Sequence, residues 1–244
     1  MMDSVLVASL DATLDRLNWT DIGLQLDAEG YAVLPSLLGA DVARDLARGL
    51  AQQAMAPGAR RVSLESSDWG RGELFHFDAG MPAPLEPWRT ALYRRLVAIA
   101  NRWNEALGVA QRYPAALEDF LRHNHKAGQT RAQSHLSRLG VEDHVALHQR
   151  NDGAQVFPLQ IVAVLSKPGT DFQGGEFVMT EQRPRMQSHP MVLPLQLGDV
   201  AVIATAQRPF KGTQGYHRVN LKHAVSRVRQ GERIGLELLF HDAP

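Results

Sequence analysis

A chain of 244 residues with 26 basic and 26 acidic side chains and no cysteine is long enough to bury a sizeable core, and it excludes several chemistries. Disulfide scaffolds, thiolate zinc sites, iron–sulfur clusters and cysteine nucleophiles are ruled out, so any metal must be held by His, Asp or Glu. A formal net charge of zero gives no global attraction to a polyanion or an anionic membrane, and no run approaches the roughly eighteen apolar residues of a membrane span.

The first half reads mostly as helix. Ser4 caps a segment carrying Val5, Leu10, Leu14 and Leu17, and residues 1–10 lack the basic region and cleavage site of an export signal, so the expected location is the cytoplasm. Tyr31 to Leu34, between Gly30 and Pro35, reads as a short strand. Asp41 to Met55 follows as a helix with Val42, Leu46 and Leu50 on one stripe. Trp88 to Leu107 is a longer helix, with Leu92, Leu96, Ile99, Trp103 and Leu107 at three- and four-residue steps and Gly108 as its C-terminal stop. Pro114 opens another, carrying Leu117, Phe120 and Leu121.

Beyond about Gln129 the texture changes to short apolar runs punctuated by Gly and Pro. Strands are expected at 156–166, 175–179, 191–195, 199–205, 217–221 and 233–240. Helices followed by an all-β half predict one α+β domain over 1–244, with a mainly helical flank (1–128) and a sandwich or jelly-roll core (129–244).

Charge is distributed unevenly. Residues 1–43 hold seven acids and the single base Arg16, whereas Arg208, Lys211, Arg218, Lys222, Arg227 and Arg229 lie in a stretch without acids. Such halves are either solvated faces or, on the basic side, a place that receives an anion.

Among the ten histidines, His148 and His223 stand apart. One ends the Val145-Ala146-Leu147 run and the other lies on the basic strand. In the strand beginning at Arg233, alternation puts Arg233, Gly235 and Glu237 on one face and Ile234, Leu236, Leu238 and Phe240 on the other. Two histidines from different strands suit a non-haem Fe(II) site, and an arginine fork suits a carboxylate.

The stretches GYAVLPSLL (30–38), LHQ (147–149), KPGTDFQGGEFVMTEQRPRMQS (167–188), LGDVAV (197–202), RVNLKHAVSRVR (218–229) and LLFHDA (238–243) resemble a bacterial family of Fe(II)/2-oxoglutarate oxygenases. That family is related in architecture to prolyl hydroxylases and is often described as acting on alkylated DNA. The resemblance spans about residues 30–243. It implies a double-stranded β-helix behind an N-terminal helical region, Fe(II) held by His148 and His223, and 2-oxoglutarate anchored by Arg233; apart from the resemblance, Ser226, Arg227 and Arg229 after His223 form either a solvated strand end or a contact for the cosubstrate anion.

The chain departs from that family at the metal. The family pattern is His-X-Asp, but here the third position is Arg150, and Leu139 and His144 stand where tyrosines are expected. Arginine stays protonated and offers no lone pair. Several outcomes follow from this. Asp152 takes over as third ligand; the open position is used as in oxoglutarate-dependent halogenases; His144 joins, although four strand positions put it about 13 Å from His148; or a two-histidine centre does other oxidation or has lost iron. Glu237 is placed to neutralise Arg150. The expectation is an oxygenase-type enzyme oxidising a C–H bond of a small, anionic or amino-acid-like substrate that Arg150 contacts. A nucleic-acid substrate ranks below it, no membrane partner is expected, and the rival is a metal-free relative binding a small acid.

Overall fold

The computed structural model describes residues 11–54, 60–78, 80–183 and 186–244. The cap expected at Ser4, with Val5 and Leu10, lies outside them, as does Arg185 of the quoted motif. The helices are α1 (Trp19–Glu29), α2 (Ala40–Ala54), α3 (Leu85–Ala106) and α4 (Leu117–Lys126); the last three fall close to the expected segments, whereas α1 lies beyond the segment expected through Leu17. No helix among the described residues is long and apolar enough to cross a membrane.

The strands are β1 (Tyr31–Leu34), β2 (Arg60–Ser63), β3 (Gly70–Arg71), β4 (Glu73–His76), β5 (His135–Leu139), β6 (His144–His148), β7 (Leu159–Val164) and β8 (Phe172–Gly174). They continue as β9 (Phe177–Gln182), β10 (His189–Leu193), β11 (Val200–Ala204), β12 (Gln207–Gly212), β13 (Gly215–Val225), β14 (Val228–Gly231) and β15 (Arg233–Leu238). One sheet runs β1-β11-β7-β15-β5-β4-β2; the second runs β10-β9-β13-β6-β3, with β12 on β13. All these pairings are antiparallel. This is an α+β double-stranded β-helix. The flank is less helical than its sequence suggests: besides the expected strand β1, β2 and β4 extend the first sheet and β3 extends the second.

Burial explains the layering. Every residue of β7 and β11 is buried, as expected for central strands covered on both faces. Outside the first sheet, Tyr93 of α3 and Phe120 of α4 meet Phe157 and Phe240, with ring centroids 4.9–6.1 Å apart. Phe240 continues the apolar face of β15, so the opposite face of that strand, carrying Arg233 and Glu237, turns inward between the sheets.

The acidic front is largely exposed, with Asp15, Asp21, Glu29 and Asp41 at the surface, but part of it is paired. Asp11 and Asp15 pair with Arg94 and Arg95, and Asp27 with Arg102, clamping the N-terminal segment to α3. On the basic side, Arg208 is wholly buried; it donates to Glu181 and, at 2.6 Å, to the carbonyl of Asp27.

Candidate active site between the two sheets

The register of β13 on β6 sets His223 directly against His148. Their rings lie 4.2 Å apart, and a register shift follows between His223 and Val225. Both are buried, at 1% and 8% exposure. The Nδ1 of His148 lies 2.9 Å from the carbonyl of Ala146, so it carries the proton and leaves Nε2 with its lone pair. That Nε2 has no hydrogen-bond partner, and neither does the Nδ1 of His223. Burial first, then the neighbouring His223 and Arg150, lower the pKa of His148 to about 2, so it is neutral at physiological pH. A neutral imidazole with one nitrogen fixed by a carbonyl is the form in which histidine binds a metal.

From the opposite sheet, β15 contributes Glu237, which pairs in register with His135 on β5 and Val162 on β7. One ligand atom from each of His148, His223 and Glu237 falls within 4.8 Å of the others. The Glu237 carboxylate stands 3.8 Å from His223, 3.8 Å from His135 and 3.6 Å from the Nε of Arg150. Burial would raise its pKa, but the adjacent imidazoles and the Arg150 guanidinium outweigh this and hold it well below the usual carboxylate range. Burial lowers the pKa of His135 to about 4, which makes Arg150 the standing countercharge at neutral pH.

Arg150 follows β6 with the same inward parity as His148. It is 4% exposed, lies over the Trp69 ring at 4.5 Å, and approaches the Nε2 of His135 at 3.5 Å. The pairing with Glu237 anticipated from the sequence is therefore present. Asp152 is not brought to the histidines: two residues on, it is exposed in the loop, where it lines a cleft of about 210 Å³ with Arg150, Trp69, His76, Arg60 and Arg131. His144, at the far end of β6, is likewise outside the ligand cluster.

Arg233 is 2% exposed, and its Nε has no partner. Desolvation lowers its pKa to about 10, opposed by Glu237, so it remains a cation. Two glycines make room for it. A Cβ on Gly235 would come within 2.6 Å of its Nη1 and 2.7 Å of Ser137 Oγ, and one on Gly175 within 2.9 Å of its Cδ. Ser226 is engaged elsewhere: its hydroxyl donates to the Glu176 carboxylate and accepts from the Glu176 amide at 2.9 Å.

From the sequence, Glu237 is expected only as a countercharge to Arg150. The signal for more was the two-residue strand repeat, which puts it on the Arg233 face of β15.

A family profile described as "oxygenase, catalysing oxidative methylation of damaged DNA" matches residues 72–243. An uncharacterized protein of Mycobacterium tuberculosis is 42% identical over 166 residues, covering 66% of this chain and 71% of that one. In fold, the chain is similar to a Pseudomonas putida prolyl-4-hydroxylase (TM-score 0.55, 13% identity, 93% of this chain and 99% of that one). It is similar also to a Trichoplax adhaerens prolyl hydroxylase, determined with a hypoxia-inducible-factor peptide (TM-score 0.55, 12% identity, 92% and 89%). The chain belongs to this oxygenase family and has the jelly-roll architecture of the Fe(II)/2-oxoglutarate oxygenases.

Proposed function

We propose that this oxygenase uses Fe(II) and 2-oxoglutarate to oxidise a C–H bond of a small anionic or amino-acid-like molecule. The observation that carries the reading is the cross-strand pair His148–His223, buried and each with one unpartnered ring nitrogen, inside the same roll as the buried cation Arg233. The orphaned Nε2 of His148 fits a metal, since buried polar atoms without partners are costly unless something satisfies them, and His223 turns its Nε2 toward Glu237 at 3.8 Å, with the Gln160 amide nitrogen 3.2 Å away. His148 and His223 would hold the iron, which when bound with 2-oxoglutarate supplies the oxidising chemistry. Arg233 binds the distal carboxylate of the cosubstrate, with Gly235 leaving space beside its fork and Gly175 beside its stem.

The substrate assignment rests on charge and size. Arg150, Arg233 and Glu237 together carry one positive charge in excess, and Arg150 borders the cleft of about 210 Å³. That volume suits a small molecule. The Arg150 guanidinium orients an anionic group of the substrate there, and the Trp69 ring beneath it fixes the guanidinium plane.

A second reading, oxidation of damaged DNA, is favoured by the description of the family. A duplex substrate predicts binding that weakens steeply with salt, which a small acid does not. For the main reading, protein prepared without air and loaded with Fe(II) and 2-oxoglutarate gives a weak visible charge-transfer band, and Arg233→Met abolishes it. Absence of both the band and bound iron in the wild-type protein refutes the enzyme assignment.

A further inference from the structure

We infer that Glu237 supplies the carboxylate of the metal triad, and that Arg150, in the position where the family pattern has that carboxylate, is its countercharge. The inference rests on the metal-dependent reading above and adds to it which residue completes the site.

Three observations carry it. First, Glu237 is the acid whose ligand oxygen lies within 4.8 Å of ligand nitrogens of both His148 and His223, among the described residues. Two imidazoles and one carboxylate on one side of an ion are the donor set of non-haem iron. Second, Glu237 is 8% exposed, yet its Oε2 has no hydrogen-bond partner. Its three neighbours stand at 3.6–3.8 Å, too far for hydrogen bonds. A buried carboxylate set beside two imidazoles and a guanidinium without hydrogen-bonding any of them is expensive, and a divalent ion between Glu237 and the histidines removes that cost. Third, Asp152 lies exposed in the loop and the Arg150 side chain cannot ligate, so neither supplies the missing donor on the β6 side.

The arrangement is an exchange of charge across the roll. The anion is carried by β15 instead of the turn after β6, and the cation takes the vacated place, leaning on Trp69. Next to a metal the Arg150 charge repels the ion, so the triad binds it more weakly than a triad without that neighbour.

Co(II) is the probe, added without air to wild type and variants, with bound metal measured by equilibrium dialysis and the ligand set by the visible d–d spectrum. Wild type takes up one equivalent. Glu237→Gln lowers affinity at least tenfold and changes the spectrum, as His223→Ala does. Because that variant strands the Arg150 guanidinium, Arg150→Met combined with Glu237→Gln is measured beside it; it keeps charges balanced and still loses the metal. Arg150→Asp in the Glu237→Gln background restores binding, because a carboxylate returns to the β6 side. If the charge-balanced double variant binds Co(II) with wild-type affinity and spectrum, the role of Glu237 is overturned while the metal-dependent function stands. If wild type takes up no Co(II), both fall together.

Discussion

Replacing Arg150 by Met tests whether the Arg150–Glu237 pair stabilises the interior without any metal. The side chain keeps much of its volume and its contact with Trp69, but the cation is lost. At 3.6 Å and an effective dielectric of about 20, the gross attraction is about 4–5 kcal/mol. Desolvation of both ions offsets much of this in the intact pair, yet removing one partner leaves Glu237 buried and uncompensated, which costs about 3–5 kcal/mol. Loss of the cation over the Trp69 ring, at 4.5 Å, adds about 1 kcal/mol. The expected loss is therefore about 4 kcal/mol, or a melting temperature lower by about 8–15 °C for a chain of this size. Urea unfolding followed by circular dichroism, with chelator present, measures it. Adding Glu237→Gln to the same chain should recover about 2–3 kcal/mol, and this coupling is the diagnostic quantity. A single variant costing under about 1 kcal/mol, with coupling within about 0.5 kcal/mol of zero, would refute the argument that Arg150 is held by Glu237.

Gly235→Val places a branched side chain where a Cβ already comes within 2.6 Å of Arg233 Nη1. We expect binding of 2-oxoglutarate, measured by calorimetry, to weaken at least tenfold, with a stability loss of about 1–3 kcal/mol; unchanged affinity would show that Arg233 is not the anchor. His241 is buried with Nε2 on the Arg150 carbonyl at 3.1 Å and Nδ1 accepting from the Phe157 amide at 3.4 Å, an arrangement only the neutral ring can make. Burial lowers its pKa to about 4, so the unfolded chain binds the extra proton first. Its contribution to stability is intact above about pH 6.5 and falls by about 3 kcal/mol on acidification to about pH 4; His241→Gln should flatten that part of the pH–stability curve, and an unaltered slope would contradict the assignment. Arg208→Met removes the partners of Glu181 Oε2 and leaves Arg183 on Oε1 at 2.7 Å, so a loss of about 1.5–3 kcal/mol is expected in thermal unfolding, with a milder loss when Glu181→Gln is added.

The helices and the β-rich second half were legible because they are periodic: α3 carries its apolar stripe at helical spacing, and Gly108 at φ 66° stops it where expected. The strands β2, β3 and β4 were not. They are two to four residues long and partly exposed, and what makes them strands is pairing with partners far along the chain, such as β4 with β5. His148 and His223 could be picked out, although their direct opposition depends on a β13–β6 register that no local pattern encodes. The ion pairs of the acidic front were hidden for a similar reason: whether Asp27 meets Arg102 is decided by where α3 lies. Asp152 was the nearest carboxylate to His148 in sequence, whereas Glu237 is the near one in space.

The inward faces of the two sheets have a consequence for how such sites drift. Each strand offers a position to the interior every second residue, and strands from both sheets border the same small volume, with His148 and His223 on one side and Glu237 and Arg233 on the other. The scaffold thus works as a socket with several interchangeable contacts. A donor lost from one rim can be supplied from the opposite rim by a single substitution, with no change in chain path. A search keyed to the His-X-Asp spacing would discard this chain, although a His/His/Glu donor set is present between its sheets; for proteins of this architecture, donors are better counted by inward position than by order along the chain.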